Sequence, residues 1–480
     1  MTAPVLLWFR QDLRLDDNPA LAAAVRRGGP VIPAFILDPE GDGDRPPGGA
    51  ARWWLHHSLT ALADALAARG SRLVLRRGAA SEVLEDLIEQ TGVATVLWNR
   101  RHEPASAERD AALTRDLKQR GIAAESFAAA LLFEPSEIRT KSETPFKVFT
   151  PFWRACLERG GIAAAHAAPR DIPAPRRWPR SEDLAGWKLL PTNPDWAGGL
   201  REAWTPGEAG ARKRLSAFLR QGLAGYETQR DRPDIDGSSA LSPHLHWGEI
   251  SPRRIWQAVE HAAAETPRLR SAADAYQREL GWREFAAHML VARPEMPTEP
   301  LDGRFGAFPW DADREALQAW QQGRTGYPIV DAGMRQLWRI GWMHNRVRMI
   351  TASFLIKDLR IHWREGEAWF WDTLVDADLA NNAFNWQWVA GCGADAAPYF
   401  RIFNPVLQGE KFDPDGGYVR RFVPELSKLP PRWIHKPWQA PESVLAEAGV
   451  ALGRTYPRPI VDHGDARRLA LAAFEALPKS

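Results

Sequence analysis

Over the first 127 residues, short β-branched and aromatic runs alternate with Ala/Leu-rich amphipathic runs, and beyond residue 207 only helical periods remain. That change of period constrains the fold more than any other feature. Val5–Phe9, Val31–Leu37, 72–75, 95–98 and Ala123–Phe127 read as strands, and 19–27, 50–69, 81–90 and 104–120 read as helices. The first helix follows Asn18 as a cap and has Pro19 at its first position. Strand–helix alternation with short connections predicts an α/β domain built on a doubly wound parallel sheet. Ligands of such sheets lie at the carboxyl ends of the strands, which directs attention to the loops after Phe9, Leu37 and Trp98. No GxGxxG follows the first strand and no Walker lysine is present, so dinucleotide-fingerprint and P-loop chemistry are unsupported.

Prolines 169, 173, 175, 179, 191 and 194 break up the segment 131–206, which reads as an extended connector. Helical periods then cover 208–221, Pro252–Glu265, 269–291, 314–322, 329–341, 345–359 and 365–374, with Ser251 capping the second of these. The expected organisation is an α/β domain over 1–130, a linker over 131–206 and an all-α domain over 207–480. A chain of 480 residues supports more than one core. Lys plus Arg number 62 against 60 for Asp plus Glu, so a polyanion partner must be met by a local patch. Two cysteines, Cys156 and Cys392, make no disulfide framework and too few thiolates for an iron–sulfur or structural zinc site. With no signal peptide and no membrane-length apolar run, a cytoplasmic location is expected, and a monomer is the expected assembly.

The segment 341–405 is the densest in chemistry. It holds Asn345, Arg346 and Arg348, the acids Asp376 and Asp378, the amides Asn381 and Asn382, and six of the chain's 23 tryptophans. Polar groups at that density cost free energy unless partnered, which points to a polar, flat ligand among them. Each piece has a plainer reading. Arg348 with Asp376 or Asp378 suits a structural ion pair, Asn381 and Asn382 suit helix caps, and Trp310, Trp363 and Trp386 suit core filling. Trp282 and Trp388, flanked by Glu279, Arg283 and Gln387, fit a wet cavity with stacking faces better. The hydroxyl cluster at Ser238, Ser239 and Ser242, near Tyr226 and just before a helix start, can meet a phosphate or simply cap the helix. Arg401, Lys411, Arg420 and Arg421 read as a solvated face or as phosphate contacts.

Several long motifs stand in one order: LLWFRQDLRLDDNPAL, KVFTPFW, DGSSALS, ELGWREF, TGYPIVDAGMRQL, GWMHNRVRMITASFLIKDL, DADLANN, NWQW, DAAPYFRIFNP and QGEKFD. With these the chain resembles, almost end to end, the photolyase/cryptochrome family, and within it the bacterial class I cyclobutane-pyrimidine-dimer photolyases. The resemblance implies a helical domain holding FAD. Tyr226, Ser238, Ser239, Ala240, Leu241 and Ser242 would cradle the diphosphate, Asp376, Ala377 and Asp378 would flank the flavin, Arg348 would pair with Asp376, and Asn382 would face flavin N5. An amide there accepts from N5–H without adding charge, whereas plant photoreceptors carry Asp. The implied partner is DNA, single- or double-stranded, with a pyrimidine dimer flipped out of the stack. Trp282 and Trp388 would pack on the dimer, and Glu279 would hydrogen-bond a pyrimidine edge. Asn345 and Met349 would line the pocket where six-four enzymes use histidines. Arg230, Arg283, Arg346, Arg401 and Lys411 would serve the DNA, mainly its phosphates.

The implied reaction is light-driven electron transfer from FADH⁻ to the dimer and back, with no metal and no protein nucleophile. Trp386, Trp363 and Trp310 match a chain that photoreduces resting flavin and is dispensable for repair. The α/β domain would bind an antenna, with Glu103 as a contact. The segment 293–300, RPEMPTEP, lacks the Lys of folate-using relatives, which leaves methenyltetrahydrofolate, 8-hydroxy-5-deazaflavin or no antenna open. A cryptochrome-type blue-light photoreceptor is the alternative. A dark flavin oxidoreductase lacks a nicotinamide fingerprint.

Overall fold

The computed structural model describes residues 3–38, 43, 45–396 and 400–478. Its contacts divide the chain into two compact units, one of residues 1–197, 201–221 and 239–294, the other of 198–200, 222–238 and 295–480.

In the first unit five strands form one parallel sheet in the order β3-β2-β1-β4-β5. They are β1 (Val5–Phe9), β2 (Val31–Leu37), β3 (Val74–Arg77), β4 (Thr95–Asn99) and β5 (Ala123–Phe127). All five residues of β1 and of β4 are buried, as the near-continuous apolar runs of a sheet covered on both faces require. Val5 registers with Val31 on one side and Thr95 on the other, so the strand order reverses between β1 and β4. β3 lies two residues beyond the expected 72–75, because its ladder with β2 runs from Ala34↔Val74 to Leu37↔Arg77. Asn18 caps its helix as expected, Oδ1 accepting from Leu21 N at 3.0 Å.

The segment 131–206 is less extended than its prolines suggest. Phe149–Arg159 is helical and buries Phe149, Phe152, Trp153 and Cys156, spaced i, i+3, i+4 and i+7. It packs on the long helix Arg270–Ala292. Ser251 caps Pro252–Glu265, its Oγ accepting from Arg254 N at 3.0 Å.

The second unit is helical apart from isolated bridges and surrounds one core that includes Trp320, Val330, Phe354, Trp363, Trp386 and Tyr418. Asn345–Ser353 runs into a π-helical turn at Phe354–Asp358, so the expected 345–359 helix forms with its last turn widened. Trp363–Thr373 and Leu379–Ala390 pack side by side. Among the described residues no helix is long and apolar enough to cross a membrane.

Candidate functional site

The helix Leu379–Ala390 begins at Asp378, whose Oδ1 accepts from both Asn381 N (2.8 Å) and Asn381 Nδ2 (2.7 Å). The cap is therefore the carboxylate rather than the amides read as caps from sequence. One turn on, Asn382 is buried, and its Nδ2 donates to the Glu367 carbonyl (3.1 Å) and to Glu367 Oε1 (2.9 Å). These bonds assign the orientation of the amide and leave Oδ1 as an acceptor on the cavity side. Arg348 bonds both oxygens of buried Asp376, Nη2 at 3.1 and 2.8 Å, while its Nε holds the Met343 carbonyl at 2.8 Å. The expected pair thus forms with Asp376, beside buried Ala377.

These groups meet around one cavity of about 90 Å³ lined by Asn345, Arg348, Met349, Asp376, Asn381, Asn382 and Trp386, among others. That space takes the edge of a flat heterocycle rather than a whole dinucleotide. The donor set suits such an edge: a guanidinium already neutralised by a carboxylate, an amide oxygen held outward, and an indole. Among the described residues no group of three or more His, Cys, Asp or Glu is placed to hold a metal.

Of the three tryptophans expected to form a chain, Trp386 lines the cavity. Trp386 is buried at 3% exposure, and its ring crosses Gly366, where a Cβ would overlap it. Gly366 lies one turn from buried Trp363 on the same helix, and the Trp386 ring stands 5.0 Å from Phe370 and 6.2 Å from Trp320. His362 stands between the next pair, its ring 5.6 Å from Trp363 and 4.8 Å from half-buried Trp310. Its Nδ1 caps Arg364 N at 3.1 Å, and burial lowers its pKa. Gly366, Glu367 and His362 were not found from sequence; only the isolated glycine inside a helical period was a signal.

The cationic residues are individually held. Arg346 forks onto Asp231, and both Arg346 and exposed Lys411 approach the Phe412 ring, at 4.5 and 5.0 Å. Arg230 stands 5.6 Å from the Tyr226 ring. Arg401 is exposed, and its carbonyl accepts from Nζ of buried Lys357, whose ammonium also faces Phe400 at 4.2 Å. Burial lowers the Lys357 pKa to about 7. Trp388 donates Nε1–H to the Asp395 carbonyl at 3.1 Å. Residues 397–399 of the DAAPYFRIFNP motif lie outside the described residues.

Ser238 belongs to the second unit, whereas Ser239, Ala240, Leu241 and Ser242 belong to the first. Ala240 has φ +45, the left-handed region, and Ser239 Oγ accepts from Tyr276 Oη at 3.0 Å while its carbonyl accepts from Arg214 Nε at 3.0 Å. Ser242 opens the short helix Ser242–His246. On the helix Arg270–Ala292, Glu279 and Trp282 share a face, both partly exposed. Trp282 stacks on Phe149 with centroids 3.6 Å apart. Arg283 donates to the Ala130 carbonyl at 2.8 Å, an architectural contact.

At the carboxyl end of the sheet, the point of strand-order reversal is filled by a buried network. Arg10 Nη1 bonds both oxygens of Asp110 at 2.8 Å, and Nη2 bonds the Asn99 carbonyl. Beside it a cavity of about 340 Å³ opens, lined by Trp98, Arg100, Arg101, His102, Asp110 and Ser126 among others. Glu103 does not line it; its carboxylate pairs with Arg101 at 3.1 Å.

Comparison with known proteins places this geometry. Residues 5–175 match the family model described as DNA photolyase, and 276–476 match the FAD binding domain of DNA photolyase. The chain is 55% identical to a deoxyribodipyrimidine photo-lyase of Agrobacterium fabrum, covering 100% of this chain and 99% of that one. It is 41% identical to cryptochrome-1 of Arabidopsis thaliana, over 96% of this chain and 69% of the other. The solved structure of a bacterial class III photolyase from Agrobacterium tumefaciens superposes with a TM-score of 0.95 at 54% identity, covering 99% and 98% of the two chains.

Proposed function

Because the chain belongs to the photolyase/cryptochrome family, we propose that it repairs cyclobutane pyrimidine dimers in DNA under light, with FAD held at the cavity of the helical unit. The observation that carries this reading is the Asn382 amide, fixed by Glu367 with its oxygen free toward the cavity that Arg348, Asp376 and Trp386 also line. Bound in its reduced form, FAD would supply the light-driven electron-transfer chemistry for splitting the cyclobutane ring.

The chain's own groups bind and orient. Arg348 and Asp376 would offer the flavin edge paired donors and acceptors with no net charge, Asp378 caps the helix, and the Asn382 amide oxygen would serve as a hydrogen-bond acceptor for the reduced ring. Glu279 hydrogen-bonds a pyrimidine edge, and Trp282, its back face covered by Phe149, offers the other face to the flipped lesion. In the helical unit Asn345 and Met349 line the cavity, Trp388 is proposed to pack on the lesion, and Arg230, Arg346, Arg401 and Lys411 take the phosphates. Trp386, Trp363 and Trp310 would supply the oxidisable side chains for photoreduction of bound flavin.

The motifs resemble class I enzymes, while a relative 54% identical is a class III photolyase; the identity favours class III for this chain. The 340 Å³ cavity beside β4, rich in cationic side chains, suits an anionic heteroaromatic antenna such as methenyltetrahydrofolate or an 8-hydroxy-5-deazaflavin. The absorption spectrum of chromophore released from native protein distinguishes them. Asn382, where plant cryptochromes carry Asp, favours repair over signalling. Oligonucleotides bearing one cyclobutane dimer or one six-four product test the substrate assignment. Light-dependent loss of the first alone is expected; loss of the second, or of neither, refutes it.

A further inference from the structure

We propose that Asp231 is a built-in competitor for the DNA backbone, occupying the Arg346 guanidinium and so limiting affinity for undamaged duplex. The inference rests on the DNA-binding reading above. Arg346 Nε and Nη2 donate to the two Asp231 carboxylate oxygens at 3.3 and 2.9 Å. Fork-on-fork pairing of this kind is also how a guanidinium takes two oxygens of a phosphodiester, so carboxylate and phosphate compete for one edge. The pair is reachable: the Arg346 side chain is 21% exposed and that of Asp231 38%.

The surroundings make the competition matter. The Arg346 guanidinium stands 4.5 Å from the Phe412 ring centroid and Lys411 Nζ stands 5.0 Å from the same ring, so one buried aromatic gathers two cations. Arg230 adjoins Asp231 in the chain. His344, whose Nδ1 accepts from Arg346 N at 3.2 Å, stays neutral because burial lowers its pKa to about 4. Asp231 is thus an acid paired with Arg346 and adjoining Arg230 in the chain.

Binding DNA through an Arg346 already neutralised exchanges one ion pair for another and gains little from counterion release. Backbone affinity, which is blind to lesions, is reduced, and recognition is left to the pocket that receives the flipped pyrimidines. Without the carboxylate, Arg346 would bring a whole charge to the phosphates.

The test measures binding of the full-length flavoprotein to a short undamaged duplex across a salt series, for wild type, Asp231→Asn, Arg346→Ala and the double variant. Asp231→Asn should tighten low-salt binding roughly two- to fivefold, the range of an exposed ion pair. It should also steepen the log–log salt slope by about 0.9. Neither change should appear in the Arg346→Ala background. Melting temperature and bound-flavin absorbance report on folding, and Asp231→Ala, as a second variant, must move the same way. Equal or weaker binding by folded Asp231 variants overturns the proposal and leaves Asp231 as a support for Arg346. Wild type with no salt-dependent DNA affinity would instead overturn the DNA reading on which it rests.

Discussion

Glu367 fixes the amide of Asn382, taking Nδ2 on its backbone carbonyl at 3.1 Å and on Oε1 at 2.9 Å, so Asn382 can only accept on its cavity side. One hydrogen bond of about 1–1.5 kcal/mol to reduced flavin corresponds to roughly 30 mV in a two-electron couple. Asn382→Leu should therefore lower the midpoint potential of bound FAD by about that amount in a spectroelectrochemical titration. An unchanged potential would place the amide oxygen away from the flavin.

Trp386 and Gly366 are coupled by shape, since a Cβ at 366 would occupy the Trp386 ring. Gly366→Ala should cost about 1–3 kcal/mol of stability, as overpacking does, and slow photoreduction of oxidised flavin. Trp386→Phe should slow photoreduction strongly yet leave repair by chemically reduced protein nearly intact. Equal loss of both activities would remove Trp386 from the electron path.

Glu284 is buried and accepts from Leu132 N and Phe133 N, and burial raises its pKa from 4.5 to about 7. The native state therefore holds an extra proton between those values, so this group's contribution is greatest at low pH and is lost as pH rises through 4.5 to 7. The loss is on the order of 3 kcal/mol. His288, lowered to about 4 by burial, acts with the opposite sign as pH falls below 6.5. Glu284→Gln should gain melting temperature relative to wild type as pH rises from about 5 to 8. A constant difference across that range would show that Glu284 does not titrate there.

Arg401 extends from a segment that Lys357 anchors at the Arg401 carbonyl and Ser353 Oγ anchors at Phe403 N, 3.2 Å away. Arg401→Ala should weaken DNA binding and lessen the salt slope by about one. Lys357→Met should weaken binding while leaving that slope nearer wild type, because it frees the segment without removing the surface charge. An unchanged slope for Arg401→Ala would show that Arg401 touches no phosphate.

Much of the fold was legible because it follows from periods and caps. The strands and helices follow from the local apolar period, and the Asn18 and Ser251 caps join residues within one turn of each other. Phe149–Arg159 was obscured by the prolines around it, although Phe149, Phe152, Trp153 and Cys156 carried a helical stripe. In the site, the Arg348–Asp376 pair was expected as one of two options, and the choice depended on where Asp378 spends its carboxylate. Glu367 and Asp231 could not be read, because their roles depend on partners 15 and 115 residues away. Sequence patterns report the face a residue occupies, whereas these contacts depend on how separate helices meet.

The central claim is most directly tested by mixing chemically reduced, purified protein with dimer-containing DNA and following monomer pyrimidines in the dark and under near-UV or blue light. The account predicts that intact pyrimidines accumulate only under illumination and only with flavin reduced. Absence of repair under light from protein that binds both FAD and the damaged DNA would contradict it.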